Sequence, residues 1–309
     1  MTMILQSVTD GAARSEKVEN RRVRGSLPLC ATLVALAVGM TAVSVLGPLV
    51  LGAMTYRTSP TSLNQLLGSD AASLFILAPL TLVAAALALR GHRAATPLAS
   101  GIGAFAIYTY AQVVIGEEYL RLPGNVEDFF PLLLGIFVLA EVALVLSWRA
   151  MPSDLPPPSR GLQRTSGWVL LVLAVFLVLG LHLPSMLTAW TDPQSLTQYA
   201  SSPTPFWLVK LMDLGIIVPA AVAVGAGLLR GASWALRVLY PLLTAYTCLA
   251  FSVTAMAVVM LVNGDPDASV GLTAGFGLFA LGFLMLTVLL YWPLLAHAPD
   301  SPRPQPVER

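Results

Sequence analysis

Charge is what this chain has least of. Only 11% of its 309 residues are charged while 56% are hydrophobic, where soluble domains carry about a quarter charged residues. With a mean hydropathy of +0.77, that balance excludes an ordinary soluble core and calls for lipid as the solvent. Lysine is rarer still, at two against 15 arginines. Neither lysine lies in the last two apolar segments, which excludes a retinal Schiff base in a final helix. The two cysteines, Cys30 near one end of the first apolar segment and Cys248 deep in the seventh, cannot form a metal framework and are badly placed for a disulfide. Of three histidines, His92 and His297 fall on the side opposite His182, so no histidine pair brackets a haem and no Cys/His cluster has metal spacing.

Soluble-site motifs are missing too. There is no GxxxxGK[ST] phosphate loop, no GxSxG elbow and no HExxH, and the connections are too short for an ATPase or kinase domain. No metal, no cofactor and no enzymatic activity are expected. The net charge of +1 is sorted by membrane side and gathers into no nucleic-acid-binding face.

Apolar segments are what the chain has in abundance. A hydrocarbon core of about 30 Å takes roughly 20 helical residues to cross, and eight stretches qualify: about 28–56, 72–90, 97–116, 130–148, 167–187, 206–229, 236–262 and 271–296. The first follows Arg14, Lys17, Arg21, Arg22 and Arg24 but is too long for the apolar part of a signal peptide, so it reads as a retained span. Lys and Arg at span ends mark the cytoplasmic side. Residues 14–24, Arg90, Arg93, Arg149, Arg160, Arg164, Arg230, Arg237, Arg303 and Arg309 occupy alternate connections, and the opposite ones are mostly acidic. Both termini are therefore expected in the cytoplasm of a protein of the cell (inner) membrane, and an even number of spans follows.

The phrase TSPTSLNQLLGS at 58–69 returns as TDPQSLTQYASS at 191–202. Around it VLG at 45–47 matches 178–180; beyond a seven-residue insertion Pro79 matches Pro219, LRG at 89–91 matches 229–231, and Tyr108-Thr109 matches Tyr246-Thr247. The spacing predicts an all-α polytopic bundle built as a 4+4 parallel internal repeat. Its parts are a disordered basic tail at 1–27, a first four-helix repeat at 28–150, a Pro-rich linker at 151–166, a second repeat at 167–297 and a disordered tail at 298–309. Ser59 before Pro60 and Asp192 before Pro193 place a capping side chain ahead of a first-turn proline, so each phrase should start a short interfacial helix or form an ordered loop. Close helix approach is expected at Gly271, Gly275 and the GAG at 225–227.

Ionisable residues inside a bilayer cost about 2.5–3.5 kcal/mol on insertion scales, so each needs a reason. Lys210 and Asp213 stand three apart in WLVKLMDLGIIVP, on one helical face about 4–9 Å below Trp207, where they can pair, bind a ligand or carry a proton. Glu141 lies about 12 Å from Arg149 with no cation of its own span in reach, and reads either as a proton relay or as a packed neutral acid. His182, about a turn and a half from the end of the fifth segment, is either interfacial or titrating. Tyr108 and Gln112 share a face at i, i+4, lining a cavity with Asp213 and His182 or bonding helices together.

Four stretches, YTYAQVVIG at 108–116, WLVKLMDLGIIVP at 207–219, GLLRGASWALR at 227–237 and MAVVMLVNGDPDAS at 256–269, resemble a family of bacterial multi-pass, eight-span integral membrane proteins for which no activity is established. The resemblance implies the polytopic class and nothing about chemistry. From the residues, two functions compete: transport of a small solute or ion coupled to protons through Asp213, Glu141 and Lys210, or a sensor or assembly subunit that binds a partner through its extracytoplasmic caps. The partners expected are the lipid bilayer and a small solute or ion. Reporters fused at residues 64 and 197 are expected on the same, non-cytoplasmic face, and a topology assay placing them on opposite faces refutes the parallel arrangement.

Overall fold

The computed structural model of the protein describes residues 26–296. The two tails, with Arg14 to Arg24, His297, Arg303 and Arg309, lie outside the described residues. Eight helices are long and apolar enough to cross a membrane, and no strand occurs among the described residues. They are α1 (Ser26–Leu46), α2 (Pro60–Leu89), α3 (Ala95–Ile115), α4 (Val126–Ala150), α5 (Arg160–Thr191), α6 (Pro203–Leu229), α7 (Ser233–Val262) and α8 (Val270–Ala296). This is the architecture of a multi-pass membrane protein. Connections 90–94, 151–159 and 230–232 gather at one end of the bundle with the arginines. Connections 47–59, 116–125, 192–202 and 263–269 gather at the other, called the acidic end below.

Three boundaries differ from the sequence reading, one of them the start of α5, which Ser159 caps so that the helix opens at Arg160 inside the linker expected at 151–166. The first apolar run continues to residue 56, but α1 stops at Leu46 because Gly47-Pro48 follows and Gly52 takes a φ of +62°, a left-handed turn that no β-branched residue enters cheaply. In the second, the polar phrase 58–69 is no short surface helix: Pro60 opens the span itself. Ser59 caps it, its side chain accepting from the Ser62 amide at 3.4 Å. Asp192 makes no such cap; Pro193–Ser195 form one 3-10 turn and Thr197–Ser201 a short helix before Pro203 opens α6.

Three π turns interrupt the spans, at Ser73–Leu77 in α2, Phe176–His182 in α5 and Asp213–Ile217 in α6. Each is followed, after one intervening residue, by a proline: Pro79, Pro184 and Pro219. A proline in a helix interior has no N–H to give and its ring collides with the carbonyl four residues back. A wider turn moves that carbonyl aside and lets other donors reach it. In α6 the Tyr246 hydroxyl donates to the Ile217 carbonyl, inside the same wide turn, at 2.6 Å.

Each set of four helices has its own apolar core, one around Leu33, Met40, Ile102 and Ile136, the other around Leu170, Leu239, Tyr246 and Phe283. They are joined through α7, which packs along α2 and α3, while α3 meets α6 only briefly. Glycine makes this contact possible. A Cβ on Gly68 would lie 2.4 Å from the Met256 backbone, and one on Gly101 would lie 2.4 Å from Thr244 Cβ. The expected approach at Gly225 and Gly227 is present, against Gly167 and Ala235, but Gly271 and Gly275 face open space or a hydroxyl 3.8 Å away. Helix α8 packs along α7 and touches α5 lightly. Cys30 and Cys248 are free and buried.

Overpacking of a close backbone contact costs about 1–3 kcal/mol. Gly68→Val is therefore expected to lower the melting temperature of the purified protein, whereas Gly135→Val, where a Cβ meets nothing within 4 Å, is expected to leave it unchanged.

Candidate functional site

Where α3 and α6 stand apart, a cavity of about 490 Å³ opens from the acidic end toward the middle of the bundle, within the range of roughly 300–1,000 Å³ typical of small-molecule sites. Its rim carries both copies of the repeated phrase: Thr58, Ser62 and Gln65 on one side, Ser195, Thr197 and Gln198 on the other. Its walls are apolar, with Leu173, Phe176, Met256, Phe279 and Phe283 among them. Its polar floor holds Tyr108, Gln112, His182, Lys210, Asp213 and Tyr246. No residue of connections 90–94, 151–159 or 230–232 lines it, so it reaches only one end.

Asp213 is the centre of that floor. It opens the π turn of α6, ten residues or about 15 Å into the helix, near the middle of a hydrocarbon core of about 30 Å. Its two carboxylate oxygens are held from two other spans: Oδ1 accepts from the Tyr108 hydroxyl of α3, and Oδ2 lies 2.8 Å from His182 Nε2 of α5. His182 closes the π turn of α5 and is only 3% exposed. It is no interfacial residue, because α5 runs on to Thr191. A carboxyl so placed, bonded to an imidazole and a phenol around a cavity, is suited to hold a cationic or hydrogen-bond-donating group.

Lys210 faces the same cavity but not as the sequence suggested. It makes no ion pair with Asp213 or with any other carboxylate among the described residues. Its ammonium instead lies 3.2 Å from the centroid of the Phe206 ring and donates to the Phe206 carbonyl at 3.4 Å. Gln112 is one turn from Tyr108, with its amide nitrogen buried, close to the Tyr108 hydroxyl but in no well-formed hydrogen bond among the described residues. Five of the six sequence candidates thus meet in one place. Glu141 does not: it is exposed on the outer face of α4, away from the cavity, and makes no hydrogen bond or ion pair among the described residues.

Three features escaped the sequence reading. Tyr246 lines the floor and could have been found, since it is the position matching Tyr108 across the two halves. Asp70, placed by sequence in a connection, is buried in α2 and accepts from the Tyr56 hydroxyl at 2.9 Å. Glu117 lines the cavity near its rim and accepts the Arg57 backbone N–H. Around it Arg57 pairs with Glu127 and donates to the Leu122 carbonyl at 3.0 Å. The neighbouring Glu118 accepts from the Thr204 amide at 2.8 Å, capping α6 from the other half, and Ser59 N donates to Ser202 Oγ at 3.2 Å. Among the described residues no cluster of three or more His, Cys, Asp or Glu side chains could hold a metal.

Comparison of the chain with protein-family models, with curated proteins and with solved structures finds no match.

Burial raises the Glu117 carboxyl to about 7, against the opposing bond from the Arg57 amide. The folded state therefore holds a proton that the unfolded chain releases. The associated stability is fully present below the unfolded value, near 4.5, and is lost as pH rises through about 7. Melting temperatures measured from about pH 5 to 8 should fall for the natural protein, and the fall should be smaller in Glu117→Gln.

Proposed function

We propose that the protein transports a small solute or ion across the cell (inner) membrane, coupled to protons through Asp213. The observation that carries this reading is the cavity between the two halves with the Tyr108–Asp213–His182 cluster on its floor. Transporter sites near the midplane, at the interface between repeats and formed by interrupted helices, follow the same physical logic. Asp213 and His182 both belong to π turns, which often occur at functional sites.

The reading includes a 4+4 parallel repeat with both termini in the cytoplasm, so that the cavity opens outward. Several correspondences support it. The π turns of α2 and α6 begin at Ser73 and Asp213 and precede the matched Pro79 and Pro219. The matched LRG segments end their helices alike: Gly91 and Gly231 have φ of +63° and +73°, and the amides of His92 and Ala232 bond back to the Leu87 and Gly227 carbonyls, both at 2.9 Å. The polar caps turn their side chains toward the cavity and toward each other, which favours a ligand over an external partner as the thing recognised.

Coupling is assigned to Asp213 without Glu141, which the cavity does not include. In liposomes under an imposed pH gradient, a trapped pH-sensitive dye should report proton movement when a metabolite mixture is added. Asp213→Asn should reduce that response at least about tenfold, the loss of one essential proton-transfer group, with folded protein still present by size exclusion. Glu141→Gln should stay within about twofold of the natural protein, as a residue outside the transfer path. A normal response from Asp213→Asn refutes the assignment.

A further inference from the structure

Lys210 is 7% exposed, lies about 10 Å inside α6 by helical rise, and faces the cavity with no carboxylate against it. Of three ammonium protons one is directed at a carbonyl oxygen, at 3.4 Å. Contact with the Phe206 ring offers the charge partial compensation. A buried cation is stable only when paired or well hydrogen-bonded, so this one is short of an anion in direct contact. Asp213 acts on it only through space: it makes no ion pair with Lys210, and its two oxygens are turned to Tyr108 and His182.

The remaining carboxyls facing the cavity stand near its aqueous mouth: Glu117, tied to the Arg57 amide, and Asp267. An anion arriving from water meets an acidic rim, which disfavours it. The side of the cavity is different. Between α5 and α8, which touch only lightly, the wall includes a stacked pair, Phe176 on Phe279, with ring centroids 5.3 Å apart. Both rings line the cavity, and Phe176 belongs to a π turn. An apolar chain dissolved in the bilayer can pass such a seam.

Resting on the transport reading above for the cavity as a ligand site, we propose that its ligand is an anionic amphiphile, taken laterally from the bilayer between Phe176 and Phe279, with its head group on Lys210 and its chain along Leu173 and Phe283. A free carboxylate and an anionic phospholipid share this chemistry.

The test is equilibrium binding with no gradient, so that it stands apart from the proton-coupling measurement. Protein in phosphatidylcholine nanodiscs is titrated with radiolabelled laurate, with dodecanol as the uncharged competitor. Laurate should bind at least about tenfold more tightly than dodecanol, the scale of one charge-assisted hydrogen bond. Lys210→Gln should remove that difference and leave dodecanol unchanged, and Lys210→Arg should restore it. Phosphatidylglycerol added to the discs displaces laurate if a phospholipid head group is the natural occupant and leaves it bound if a free acid is. Phe176→Ala, which opens the seam, should speed laurate association several-fold with dissociation constants preserved in rank. Equal affinity of laurate and dodecanol for the natural protein, or full laurate affinity in a folded Lys210→Gln variant, overturns the proposal. Failure of Asp213→Asn to alter proton movement would leave it standing, and its own failure would leave proton coupling standing.

Discussion

A proline in the middle of a membrane span leaves a carbonyl without its donor, in a solvent that supplies none. Three of the spans meet this constraint with a π turn just ahead of the proline, and the site follows from that solution. The extra residue in each wide turn changes which side chains face the bundle interior from there on. In α5 and α6 these turns carry His182 and Asp213, which meet across the gap between helices at 2.8 Å. Tyr246 donates to the Ile217 carbonyl within the turn of α6, adding a further polar group to a floor surrounded by apolar walls.

The number of spans was legible in the sequence because lipid imposes a length and a composition on each one. Boundaries were less legible where composition and backbone disagree. Residues 47–56 are apolar enough to read as span, but Gly47, Pro48 and Gly52 end the helix. Residues 60–71 are polar enough to read as loop, yet they are helical. Their polar groups are taken up by α7 and the connection after it, as when Asn64 donates to Asp265 at 2.8 Å and Ser252 bonds Ser69 at 3.2 Å.

The candidate site was legible as a set of residues but not as a set of bonds. Spacing of three within one helix suggested a Lys210–Asp213 pair, and spacing within a helix is all that a single segment can reveal. The partners of Asp213 come instead from α3 and α5, 105 and 31 residues away in the chain. Glu141 looked as good a candidate as Asp213 by its place within a span. What separates them is the direction each faces, and that is set by packing: α4 lies against α3 and turns Glu141 away from it.

The bond from the Thr204 amide to Glu118 has a consequence for biogenesis. A helix start leaves backbone donors without partners, and the start of α6 is completed by a residue that the ribosome delivers 86 positions earlier. The acceptor is therefore synthesised before the helix it caps. Halves synthesised as separate polypeptides would have to meet in the membrane before the later one could finish folding.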